Sequence, residues 1–166
     1  YSSAASDVYK RQGKYISDIT ISELSKMSIN PVGAKVAIHG ITFKENCPDL
    51  RNSKVFDIID ILDKNDLIVD VFDPWVDQSL NKSSSTFKLI SDLSSDYYNA
   101  IIIAVAHDKF FNMGIDKIRS LGKKDCFLYD LKSMFNSDEN NLRLWVIFWI
   151  AHAFKLPYRP FQSFNS

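Results

Sequence analysis

The chemistry-bearing residues of this chain crowd into one stretch, GITFKENCPDLRNSK at residues 40–54. Lys44, Glu45, Cys47, Asp49 and Arg51 fall within eight positions around Pro48. A lysine ammonium is a compact point charge and an arginine guanidinium a planar fork, and both suit the oxygens of a phosphate or pyrophosphate. The same charges would also suit an ordinary solvated loop. Cys47 lacks the company of a nucleophile: none of the three histidines, His39, His107 and His152, adjoins it. The flanking Glu45 and Asp49 also carry the wrong charge to activate a thiol. Nor is the stretch a dinucleotide fingerprint. Gly40 stands alone where that pattern wants a glycine cluster, and no P-loop lysine follows a glycine pair.

A loop of this kind works only if a scaffold points it at a ligand. KVAIHG (35–40) is short, apolar and closed by glycine, which predicts a buried strand. SKVFDIIDILDKN (53–65) spaces Val55, Ile58, Ile59 and Leu62 as one helical face, with Ser53 as N-cap. LIVDVFDP (67–74) predicts a second strand ended by Pro74, and after the serine-rich turn NKSSS (81–85), TFKLI (86–90) predicts a short third. AIIIAVAH (100–107) predicts a central strand buried on both faces. GIDKIRSLG (114–122) reads as a helix ending at Gly122, and CFLYDL (126–131) as the last strand. Ahead of all these, Tyr15, Ile16, Ile19, Leu24, Met27 and Ile29 mark an amphipathic helix over 14–29, stopped by Pro31 and Gly33.

Strands alternating with helices predict a Rossmann-like open parallel sheet with helices on both faces, preceded by an N-terminal helix. In such a sheet, ligands bind beyond the carboxyl ends of the strands, where strand order reverses. The loop after the first strand lies there and feeds a helix N-terminus, whose free N–H groups favour an anion.

The totals narrow the class. With 166 residues, 46% of them hydrophobic, the chain suffices for one domain with a real core. A formal net charge of zero argues against a nucleic-acid groove, which needs a surplus of cations. Cys47 and Cys126, far apart and without metal-ligand spacing, read as free thiols of a cytoplasmic protein, and no metal site is expected. YSSAASDVYKRQ has no usable periodicity and no apolar core of a secretory signal, so 1–13 is set aside as a non-native leader. The apolar run LWVIFWIAHAF (144–154) is well short of the roughly 20 residues of a membrane span, so no membrane anchor is expected.

GITFKENCPDLRNSKVFDIIDIL resembles the start of the C-terminal domain of the UDP-glucose/GDP-mannose dehydrogenases. It is most similar to the bacterial branch that oxidises UDP-N-acetylhexosamines for surface polysaccharides. The likeness continues through VDVFDPWVD (69–77), AIIIAVAHDKF (100–110) and YDLKSMF (129–135). It implies that Phe43 and Lys44 reach toward the sugar nucleotide and that Arg51 meets NAD on a partner domain. It implies oxidation of an alcohol to a carboxylate through a cysteine thioester. That cysteine sits upstream in a Gly-Gly-x-Cys setting which Cys47 does not share, so no catalytic residue is expected in this chain. The chain would then be the C-terminal third of an enzyme, inert alone, wanting N-terminal and central domains and assembling as a homo-oligomer. On this reading 14–34 is a helix and connector from upstream, 35–145 the C-terminal domain, and 146–166 an atypical apolar tail.

Other residues are candidates by position. His107, Asp130 and Lys132 follow strands that end at one sheet edge and could line the cleft, while His107 could equally cap a helix at HDKF. Asp73 should cap the turn after the second strand. A receiver-like signalling module would use Asp73 as phosphoacceptor and Lys132 as its cation, but GITFK lacks the acidic pair that would hold magnesium. A stand-alone oligomerisation domain is the other alternative, suited by the apolar ends.

Overall fold

The computed structural model describes residues 3–77 and 86–135, with side chains from residue 11 onward. The NKSSS turn and the tail beyond 135 lie outside the described residues. Helix α1 (Ser3–Lys26) leads into strand β1 (Lys35–His39), helix α2 (Val55–Lys64) and strand β2 (Ile68–Phe72). Then follow β3 (Lys88–Leu89), β4 (Tyr98–Ile103), α3 (Asp108–Met113), α4 (Ile115–Arg119) and β5 (Gly122–Asp130). The sheet order is β3-β2-β1-β4-β5 and every pairing is parallel, as the alternating pattern predicts.

β1 is central because its residues are apolar on both faces: Val36, Ala37 and Ile38 are all buried. From β1 the chain winds one way to β2, and from β4 the other way to β5. Right-handed crossovers in opposite directions put α2 and the α3–α4 pair on opposite faces. On the α3–α4 side, Phe110, Ile118 and Leu121 close a core with Ala37, Phe72, Ile101 and Ile103. α2 buries Val55, Ile58, Ile59 and Leu62, the face its spacing predicts.

Several boundaries differ from the expectation. α1 starts at Ser3, so the helix runs through the segment set aside as leader. Its buried stripe is Gly13, Ser17, Thr20 and Leu24, while Tyr15 stays exposed. The reason is close approach to α2. A Cβ on Gly13 would stand 3.0 Å from the Cβ of Asp57, and the Ser17 hydroxyl donates to the Gly13 carbonyl and reaches the Ile58 carbonyl at 3.3 Å. Small residues, not the apolar ones, allow that contact. β4 starts earlier than the apolar run 100–107 and ends within it at Ile103, where the amides of Ala104 and Val105 both turn to the carbonyl of His39. Gly122 opens β5 rather than closing a helix. Ser53 lies outside α2, its hydroxyl meeting the Val55 amide at a long 3.4 Å.

Candidate functional site

The strand order reverses between β1 and β4, so the loop 40–54 and the turn 104–107 flank the switch point. The chain leaves β1 through Gly40 at φ +90°, a conformation that L side chains rarely adopt. A Cβ there would also stand 2.5 Å from the Cβ of Val105, so glycine is needed for space as well as for angle.

Under the loop lies a buried polar network. One oxygen of Asp73 accepts the amides of Ile41 (2.7 Å) and Thr42 (3.2 Å) and faces Nε2 of His107 at 3.1 Å. Its other oxygen accepts the Trp75 amide at 2.8 Å, the turn cap that the sequence predicts. Burial alone would raise the Asp73 carboxyl, but the bonds from His107 and from the amides of Ile41 and Trp75 outweigh it and hold the group below its usual value. His107 is fully buried, and its Nδ1 accepts the Asn46 amide at 2.9 Å. One carboxylate and one imidazole thus tie together the segments that follow β1, β2 and β4.

Above this base the loop presents its candidates to solvent. Phe43 is 58% exposed beside the exposed Lys44. The Phe43 amide donates to the Asp49 carbonyl at 2.7 Å, closing the loop on itself. The side chain of Arg51 is 86% exposed and grips Asp49 through two parallel bonds of 3.0 and 2.9 Å. The hydrogen bonds from Arg51, more than the nearby Lys44 charge, pull the Asp49 carboxyl down to about 2. Among the described residues Lys44 makes no salt bridge, and the donor set fits an anion. Two of the five N–H groups of the guanidinium are spent on Asp49, and that carboxylate already balances its charge. Cys47 is a half-buried free thiol.

The remaining candidates fall differently. His107 does not face solvent; it lies beneath the Lys44 loop. Lys132 is exposed, and its amide donates to Asp130 at 3.1 Å. Among the described residues no hydrogen bond or ion pair joins Lys132 to the Lys44 loop. Asp130 is buried; burial raises its carboxyl above the usual value against the pull of four backbone amides. Both oxygens of buried Asp73 are taken, which leaves no phosphoacceptor for a receiver module. Three residues of the site carried too little signal for notice in the sequence: Thr42, Asn46 and the exposed Trp75. Asn46 stands at φ +53°, where asparagine is the favoured non-glycine residue, so an Asn just ahead of Cys-Pro was the available clue.

An all-parallel open sheet with a cation-bearing loop anchored at its switch point defines a Rossmann-like domain. Comparison narrows the class. The UDP-glucose/GDP-mannose dehydrogenase family, UDP binding domain, matches residues 37–137, and this chain belongs to that family. It is 42% identical to UDP-N-acetyl-D-glucosamine 6-dehydrogenase of Salmonella typhi and 44% identical to the Pseudomonas aeruginosa protein of that name. Each match covers 80% of this chain, which spans only 31% of either relative. In fold it is similar to UDP-D-ManNAc dehydrogenase from Pyrococcus horikoshii, with a TM-score of 0.61 at 21% identity over 77% of this chain and 28% of that one. The resemblance carried by the 40–62 stretch is thereby borne out, as is the fold class. Among the described residues, no helix is long and apolar enough to cross a membrane.

Proposed function

We propose that this chain holds the diphosphate end of a UDP-sugar on Lys44, with the Phe43 ring against the sugar nucleotide. It would thereby form one wall of an NAD-dependent UDP-sugar 6-dehydrogenase. The observation that carries this reading is the Lys44 ammonium, which makes no salt bridge among the described residues and whose loop is held at the switch point by a buried network, in a domain of a UDP-binding family. Lys44 orients the ligand and offsets its charge; the exposed Phe43 ring shields one side of it from water. Arg51 takes the cofactor-facing role by exchanging Asp49 for a phosphate, which is feasible because an exposed ion pair is well screened. NAD, when bound, supplies the hydride acceptor, and the reacting cysteine belongs to upstream domains. His107 shapes this wall from beneath, and Lys132 contributes at most to its far rim. The setting is a cytoplasmic homo-oligomer, and the uronic acid product serves surface polysaccharide synthesis.

Thermal-shift titration of the chain with UDP, a UDP-N-acetylhexosamine and NAD tests the reading. A ligand that binds only the folded state raises Tm once its concentration exceeds Kd. The expected result is a UDP-dependent rise that needs about tenfold or more ligand in Lys44→Ala, the loss of one charge-assisted contact. A UDP shift unchanged by Lys44→Ala, or no UDP shift at all, overturns it.

A further inference from the structure

We propose that His107 is a positioning residue for Lys44, gripping the loop on both sides of it without meeting the ligand. This deepens the reading of Lys44 as a diphosphate contact and rests on it. The hydrogen-bond directions follow from chemistry. A backbone amide only donates, so the Asn46 amide at 2.9 Å requires a lone pair on Nδ1 of His107. The ring hydrogen then sits on Nε2, 3.1 Å from both Asp73 Oδ2 and Thr42 Oγ1. The Thr42 hydroxyl spends its own hydrogen on the Lys44 carbonyl at 3.0 Å, which leaves its oxygen an acceptor toward the ring.

The chain of donors is therefore consistent from end to end: Asn46 amide to imidazole, imidazole to Asp73 and Thr42, Thr42 to Lys44. The anchors fall on Thr42 and Asn46, and Lys44 lies between them. Asn46 returns the grip, its side-chain oxygen accepting the Asp108 amide at 3.2 Å. Its left-handed φ of +53° needs such external support. A residue that merely filled the core would not need a ring nitrogen at each end. Replacing this one by an apolar side chain would strand the Asn46 amide and one Asp73 oxygen contact.

Two substitutions split the grip. His107→Asn keeps an oxygen near the Nδ1 position and loses the reach to Asp73 and Thr42, while the Thr42 hydroxyl keeps its own bond to the Lys44 carbonyl. His107→Gln carries its amide to the Nε2 position and loses the acceptor for Asn46. Both should lower Tm. The expected outcome is that His107→Asn keeps UDP affinity within about threefold of the parent, whereas His107→Gln weakens it about tenfold or more. Amide hydrogen exchange without ligand gives a second readout: residues 42–47 should exchange faster in His107→Gln than in His107→Asn, with β1 and β4 protected in both. Should either variant fail to fold, Thr42→Val removes the relay to the Lys44 carbonyl from the other side and should weaken UDP in the same way. Equal UDP affinities in the two variants, or loop exchange that does not distinguish them, overturn the positioning role. If the parent chain binds no UDP, the Lys44 reading fails, and the exchange pattern by itself decides whether His107 holds the loop.

Discussion

Gly40 carries two constraints at once. Its φ of +90° disfavours any side chain, and the space a Cβ would take is filled by Val105. Gly40→Ala should therefore cost roughly 2–4 kcal/mol, from left-handed strain plus overpacking. Urea-midpoint comparison with the parent chain checks this; a loss under about 0.5 kcal/mol, typical of unconstrained surface sites, would show that β1 and the 104–107 turn separate easily. Asp73 shows how a residue can be read for half its role. Its turn-capping oxygen was legible from Asp-Pro after an apolar run. The oxygen that holds Ile41, Thr42 and His107 was not, because those partners are more than thirty residues away along the chain.

At the scale of elements, α1 and α2 make the instructive contrast. α2 buries the face that its spacing predicts, because it lies directly on the sheet and its apolar stripe is the only one it has. α1 instead turns Gly13, Ser17, Thr20 and Leu24 inward, and the helix pair approaches closely there. Leu24 is fully buried whereas Tyr15 is 38% exposed, although both belong to the apolar set read from sequence. Leu24→Ala is expected to cost about 2–5 kcal/mol, as truncation of a buried leucine does. Tyr15→Ala should cost clearly less. Denaturant unfolding of the two variants decides between the faces: equal losses, or a larger loss for Tyr15→Ala, would mean that the helix packs on its apolar stripe after all.

Across the whole molecule, acid sensitivity converges on His39. It ends the central strand, both ring nitrogens lack a hydrogen-bond partner among the described residues, and the rings of Phe72 and Phe110 stand edge-on to it at 6.0 and 5.2 Å. Desolvation there lowers its pKa from 6.5 to about 4. Above 6.5 the imidazole is neutral in both folded and unfolded chains and adds no slope. As pH falls from 6.5 toward 4, only the unfolded chain takes up the proton, so stability drops, by about 2 kcal/mol between pH 7 and pH 5. Asp73 keeps its contribution throughout that window, because its lowered carboxyl is lost only below the ordinary 3.8. Asp130, raised by burial, acts in the opposite sense and loses its contribution as pH rises through its folded value. Urea unfolding at pH 7 and pH 5 of the parent and of His39→Leu isolates the histidine. The parent should weaken more than the variant; parallel curves would place the acid sensitivity elsewhere.

Hydrophobic period and glycine placement by themselves determined the order of strands and helices, the parallel sheet and the position of the charged loop after the first strand, while the likeness of the 40–62 stretch carried the family. Those features depend on residues near one another along the chain, where apolar spacing dictates which face must leave water. What only the tertiary structure decided depends on contacts between distant segments. Arg51 spends its fork on Asp49, His107 lies beneath the loop rather than on its rim, and α1 packs through its small residues. Whether a polar side chain points to solvent or into a network is set by which donors and acceptors the fold brings within about 3 Å. No local pattern encodes that distance.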